Sequence, residues 1–401
     1  MSSLATTQRR QGAEATRSST RLKKKKFKFF SVRGGIDIPF LIALLSLVVV
    51  GLVMMFSASY PSAYYYTGSS YTHLIPQAAN AVLGLVIMFV VSYVDYHKLH
   101  IFAYPIYAVA VLLLGLVLIL PAGDGGVHRW ITIGVTFQPS EIAKFALILV
   151  LSHYASVNFN KMEDFTTGIA KPAAFCLIIC ILLILEPHYS CTVIILLLFA
   201  LMIFLSGAKA RYFIIMIIGI VLALVIAYFA GLLSYVTERF EGWGTALTYI
   251  NDKQWNDDTW QTRNSLYAIG SGGLTGLGPG QSRQKYLFLP EPQNDFIFAV
   301  VCEELGFIGA SLILCLFGYL VWRGIRVSLR ATDNFGKLLG IGLTAQIGIQ
   351  VILNILVITD WLPNTGISLP FFSYGGTSLV MLLAQMGVVM SISRTARIEK
   401  T

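Results

Sequence analysis

In LPEPQNDFIFAVVCEELGFIG, residues 289–309, three carboxylates beyond Glu291 lie at the start of or within the apolar run: Asp295, Glu303 and Glu304. A lone aspartate at the start of a helix has two readings. It can cap the helix by accepting backbone N–H bonds, or it can take a proton in general-base catalysis, a role worth about 10²–10⁴ in rate. Glu303 follows eight residues later, about 12 Å along a straight helix and turned by about 80°. That geometry disfavours a glycosidase-like acid/base pair, which needs a separation of about 5–9.5 Å. Two glutamates inside an apolar helix cost about 2.5–3.5 kcal/mol each to place centrally in a membrane, so Glu303 and Glu304 are expected to be partnered structural supports.

Cationic chemistry is concentrated elsewhere. The segment HRWITIGVTFQPSEIAK carries Arg129, Trp130, Glu141 and Lys144. Arg129 and Lys144 could hold an anion, such as a phosphate group. Lys144 lies three residues after Glu141, so an intrahelical ion pair accounts for it equally well, and Trp130 also suits an interfacial anchor. Lys285 and Glu291, in the glycine-rich stretch AIGSGGLTGLGPGQSRQKYLFLPEPQND, complete the candidate substrate-binding set. That stretch lacks the GxxxxGK[ST] and GxGxxG spacings, which argues against a nucleotide site. It reads as open turns where backbone can approach a bulky ligand.

The elements carrying these residues are membrane helices. Of 401 residues, 56% are hydrophobic and 12% charged, and the mean hydropathy is +0.72, far above a soluble domain. Apolar runs predict an all-α polytopic membrane protein with ten spans, near residues 38–56, 74–94, 101–120, 139–156, 170–186, 189–205, 212–232, 295–322, 338–359 and 370–392. Of the 29 Lys and Arg residues, 22 fall in segments on one side and six on the other, with Lys144 inside the fourth span. This bias predicts both termini in the cytoplasm and one large extracytoplasmic loop, 233–294, between helices 7 and 8.

Residues 1–37 read as a disordered basic cytoplasmic tail, 38–393 as the membrane domain and 394–401 as a short cytoplasmic tail. The RLKKKKFK run is assigned to positive-inside anchoring and anionic membrane lipid, with no nucleic-acid partner. The first span reads as a retained signal anchor, and the five cysteines as free buried thiols. The external loops hold six basic and ten acidic residues. An anionic substrate would therefore need a local cationic cluster.

Three motifs, RWITIGVTFQPSEIAK, SLYAIGSGGLTGLGPGQSRQKYLFLPEPQNDFIFAVVCEELGFIGA and LPNTGISLPFFSYGGTSL, closely resemble the SEDS family (shape, elongation, division, sporulation) over nearly the whole chain after the tail. The form GLGPGQSRQKYLFLPEP is more similar to the division member and its sporulation relative than to the elongation member. The resemblance implies a peptidoglycan glycosyltransferase that polymerises lipid II outside the cell membrane, at the division septum or in sporulation. It also implies a class B penicillin-binding protein as partner, with other divisome proteins. The family's catalytic acid falls on Asp295, and its RWI and PSExxK positions on Arg129, Trp130, Glu141 and Lys144.

Two positions depart from the family pattern: His188 stands where many members carry an acid after the proline, and Asn264 where QSL is common. No cofactor is demanded by any motif; a divalent cation, magnesium or manganese, is the one candidate for sharing the charge of a leaving diphosphate. A lipid II flippase and a non-catalytic scaffold remain as alternatives.

Overall fold

The computed structural model describes residues 34–120, 129–133, 135–214, 218–219, 243–247 and 257–398. The predicted N-terminal tail up to residue 33 lies outside the described residues, as does most of the predicted seventh span, 212–232. The other nine predicted spans all appear as helices. They are α1 (Ile38–Thr67), α2 (Leu74–Tyr93), α3 (His97–Ile119), α4 (Pro139–Val157), α5 (Lys171–Leu185) and α6 (Tyr189–Leu205), then α8 (Ile297–Leu329), α9 (Asn334–Ile358) and α10 (Gly376–Ile398). Among the described residues, eight helical segments are long and apolar enough to cross a membrane, α5 together with the turn before it, and α6 is a shorter apolar helix. The chain is a multi-pass membrane protein.

Two elements were not anticipated. A two-stranded antiparallel hairpin, β1 (Ile131–Ile133) and β2 (Val135–Phe137), leads into α4. Within the predicted large loop, Asp257–Gly272 forms a polar helix, α7, which packs on α8.

The apolar stretches of α4, α9 and α10 are 67% buried, against 22% for α2. The first three form the centre of the bundle, and α2 lies on its flank against α10. Core positions at the centre are Leu147, Ile148, Leu343, Ile347 and Met386. At the end of the bundle opposite Asp295, Asp37 caps α1 by accepting from the Phe40 N–H (3.1 Å). The same carboxylate takes two bonds from Arg323 near the end of α8, both 2.9 Å. A fork-shaped guanidinium matched to a carboxylate fixes orientation as well as contact, so this pair sets how α8 lies against α1.

Helix α8 breaks at Gly306 (φ 66°, ψ −172°). The break is filled by the glycine-rich loop. Phe307 and Ile308 N–H donate to the carbonyls of Gly273 and Leu274, while Leu277 and Gly278 N–H donate to the carbonyls of Glu303 and Glu304. A β-carbon at Gly276 would stand 2.1 Å from the Glu304 carbonyl oxygen, and one at Gly306 2.2 Å from the Gly276 nitrogen. Only glycine allows backbone to meet backbone this closely.

Candidate active site

The two buried glutamates of α8 organise the loop above the break. Glu304 accepts from Ser57 Oγ of α1 (2.7 Å), Gly280 N–H (2.8 Å) and Lys285 Nζ (2.7 Å). Glu303 accepts from Arg283 N–H (3.0 Å), Gln284 N–H (3.3 Å) and the hydroxyls of Ser271 and Ser282. Charged acceptors facing several donors can be held inside a protein because those donors replace water. Lys285, expected to contact substrate, is instead fully buried: both it and Glu304 have side-chain exposures of 0%. Its charge is matched within the fold and is not presented to a ligand.

A cavity of about 730 Å³ opens beside this loop, lined by Tyr60, Pro61, Tyr64, Tyr65, Tyr286 and Leu287, among others. It belongs to the outer flank of α1 and the glycine-rich loop. The candidate catalytic acid does not line it.

Asp295 is half-buried. The N-cap of α8 is Phe296, so Asp295 stands one residue outside the capping position it was expected to fill under the structural reading. Its backbone carbonyl accepts from Asn354 Nδ2 of α9 (2.7 Å), and the same amide group donates to the Ile367 carbonyl (2.6 Å). Asn354 thereby ties the start of α8 to the LPNTGISLP loop. Its neighbours reinforce the joint: Ser373 Oγ donates to the Asn294 carbonyl (2.8 Å), and Tyr374 N–H to that of Gln293 (2.8 Å). In this loop Gly366, at φ +70°, faces the Asp295 carboxylate; a β-carbon there would lie 3.0 Å from Oδ2.

The residue before Gly366 connects to a second polar group. The Thr365 carbonyl accepts from Ser190 Oγ in the first turn of α6. Just before that turn lie Glu186, Pro187 and His188, which join α5 to α6. Arg129, at the foot of the hairpin, donates to the Pro187 carbonyl. Charge interactions join Arg129 to Glu186 and His188, and Lys144 to His188. Glu141 and Lys144 form the predicted i,i+3 ion pair in α4, 2.7 Å and nearly fully buried. Arg129, Glu141, Lys144, Glu186 and His188 therefore form one cluster, linked to Asp295 through Thr365 and Gly366.

The cluster's electrostatics follow from its burial. Burial pushes the Glu186 carboxyl up to about 8, against the pull of Arg129 in the other direction. Burial, then the positive charges of Arg129 and Lys144, hold His188 down at about 3, so it is neutral. Buried polar atoms without a hydrogen-bond partner gather here: Arg129 Nε, Ser140 Oγ, Glu141 Oε2, Glu186 Oε1, His188 Nδ1 and Thr365 Oγ1. Such orphaned groups are rare in native interiors and call for a functional account.

Trp130 is 47% exposed beside Arg129. Glu291 is exposed, at φ +42°, and accepts from Asn294 Nδ2 (2.6 Å). Neither is drawn into the cluster by any contact described above. Asn264 is buried in α7, where its amide donates to the Trp260 carbonyl (2.9 Å) of the same helix. Sequence reasoning did not single out Glu186, Ser190, Thr365 or Gly366. The runs ITI and VTF about Gly134 did carry a hairpin signal, β-branched residues flanking a glycine.

The profile of the cell cycle protein family FtsW/RodA/SpoVE matches residues 38–398. The chain belongs to this family. It is 38% identical over 373 residues to stage V sporulation protein E of Bacillus subtilis, covering 90% of this chain and 98% of the relative. To the probable peptidoglycan glycosyltransferase FtsW of Geobacter metallireducens it is 37% identical over 366 residues, covering 89% and 94%. Its fold is similar to a chain from a peptidoglycan synthase complex that coordinates polymerization and crosslinking (TM-score 0.72, 26% identity, covering 90% and 98%). It is also similar to the rod shape determining protein RodA of Thermus thermophilus (TM-score 0.64, 26% identity, covering 90% and 97%). In this FtsW/RodA/SpoVE-family chain all three motifs converge at one end of the bundle. RWI and PSExxK supply the cluster, NDFIFA supplies Asp295, and LPNTGISLP bridges them.

Proposed function

We propose that this end of the bundle transfers a sugar from a lipid-linked diphosphate donor onto a growing glycan, with Asp295 as the base. The chain is a peptidoglycan glycosyltransferase, serving division or sporulation. Its substrate is lipid II, polymerised at the outer face of the cell membrane with both termini cytoplasmic. Its partner is a class B penicillin-binding protein that crosslinks the product, alongside other division proteins.

The observation that carries this reading is the bridge through Thr365 and Gly366, which sets one half-buried carboxylate beside a cluster containing Arg129. Inverting transfer needs one base and one stabiliser of the departing charge. The acceptor's 4-hydroxyl oxygen forms the new bond to the sugar's anomeric carbon as the bond to diphosphate breaks. Asp295 takes the hydroxyl proton, and Arg129 meets the charge left on the diphosphate. A second carboxylic acid is unnecessary, which suits the engagement of Glu303 and Glu304 in the loop.

Among the described residues, no group of three or more His, Cys, Asp or Glu side chains converges as a metal cage. Those donors do not fit a protein-held divalent cation. The test is polymerisation of lipid II by the purified chain with its partner. Asp295→Asn should assemble normally yet lose at least about 10²-fold in glycan synthesis. Robust synthesis by that variant would remove Asp295 from the mechanism, and no synthesis by the parent would favour the flippase.

A further inference from the structure

Arg129 and Glu186 are neighbours that do not pair. The Arg129 guanidinium is anchored by the Pro187 carbonyl, one residue from Glu186. Glu186 is 1% exposed. Both Glu186 Oε1 and Arg129 Nε are buried without a hydrogen-bond partner. The contrast is with Lys144 in the second turn of α4, whose charge is matched by Glu141 at 2.7 Å. Glu186 is buried and Arg129 half-buried, and neighbours of opposite formal charge placed so would ordinarily close into an ion pair, because an unpaired buried charge is costly.

We propose that Glu186 is a positioning residue for the diphosphate-binding site: its buried carboxyl, adjacent to Arg129 yet not paired with it, shapes the wall there while leaving the guanidinium available to the donor's diphosphate. The inference rests on the reading of Arg129 given above and adds the residue that sets its charge balance. Among the described residues, the other groups around Glu186 are His188 in the turn, Glu141 and Lys144 on α4, and Cys191 in the first turn of α6. His188 is neutral, and Glu141 and Lys144 cancel. The cluster then presents one net positive charge while Glu186 keeps its proton. Burial holds that proton to about pH 8. Above this the carboxylate cancels Arg129, and a diphosphate would meet an electrically neutral, partly repulsive wall.

The test uses the full chain with its partner, reading KM for lipid II and inhibition by inorganic diphosphate from pH 6.5 to 9.5. In the parent, KM should rise about eightfold between pH 7.5 and 9, following the fall of the neutral fraction across a pKa of about 8. Glu186→Gln, which cannot ionise, should abolish that rise, whatever its turnover at neutral pH. Glu186→Leu serves as the second non-ionising variant if the glutamine variant folds poorly. An alkaline rise in KM that persists in either folded variant overturns the proposal. Arg129→Ala tests the underlying reading separately: it should lose diphosphate inhibition at every pH. If inhibition survives in Arg129→Ala, the diphosphate assignment itself fails, independent of Glu186.

Discussion

The carboxylate of Asp295 faces Gly366, where an added β-carbon would stand 3.0 Å from Oδ2. Gly366 also sits at φ +70°, a region where a side chain costs about 1–2 kcal/mol. Both facts bear on one substitution. Gly366→Ala should push the loop or the carboxylate by a few tenths of an ångström. Turnover is expected to fall at least about tenfold, since small misplacements near a reacting centre are amplified in rate. Thermal unfolding of the solubilised protein should show only modest destabilisation. Full activity in Gly366→Ala would mean that this contact does not position Asp295.

Removing the cation beneath the glycine-rich loop should act on stability first. Lys285 and Glu304 have no exposed side-chain surface, and Lys285→Met would leave Glu304 with Ser57 and backbone N–H donors only. Stranding one member of a buried pair typically costs about 3–5 kcal/mol. The expected result is a marked drop in unfolding temperature, accompanied by protease cleavage within residues 273–289. A variant as stable as the parent would show that the hydrogen bonds alone hold the carboxylate.

His188 makes a prediction about acid. Its folded value is depressed to about 3, chiefly by burial and then by Arg129 and Lys144, while in the unfolded chain it titrates near 6.5. Below about pH 6.5 the unfolded chain gains a proton that the folded chain refuses, so stability is lost as pH falls toward 3. Replacement by Asn removes this contribution. The gap in unfolding temperature between parent and His188→Asn should therefore shift in favour of the variant on going from pH 7.5 to pH 5. A gap independent of pH would show that His188 is protonated in the fold.

Much of this architecture was legible because membrane helices declare themselves by apolar length, and because Asp295, Arg129 and Lys144 are charges in an otherwise apolar chain. Helical spacing offered the Glu141–Lys144 pair as one of two equal readings of Lys144, and the structure has the pair. What the loop does with Glu303 and Glu304 was not legible: the donors lie about twenty residues upstream, in a segment with no periodicity, and meet the helix only because it breaks at Gly306. Lys285 looked like an external cation for the same reason. Glu186 was hidden differently. It reads as one more loop acid, and its significance comes from Arg129, 57 residues earlier, and from Pro187 turning a carbonyl toward that guanidinium.

The two cations of the cluster should separate in mutagenesis, although sequence placed them together as anion ligands. Lys144 is 2% exposed and already paired with Glu141, so Lys144→Ala strands a buried carboxylate and should cost on the order of 3–5 kcal/mol in stability. Arg129 is held by a neutral backbone carbonyl, and no buried carboxylate depends on it for a hydrogen bond. Arg129→Ala should therefore leave the unfolding temperature nearly unchanged while lowering glycan synthesis by about 10²-fold or more, the scale of losing one stabiliser of developing charge. Substitution of Arg239 or Lys253, cations of the predicted external loop that lie outside the two motifs and outside the described residues, should alter neither quantity appreciably. Comparable losses of synthesis at Arg129, Arg239 and Lys253 would show that diffuse attraction draws the anionic donor, and would remove the case for a local diphosphate site at the α5–α6 turn.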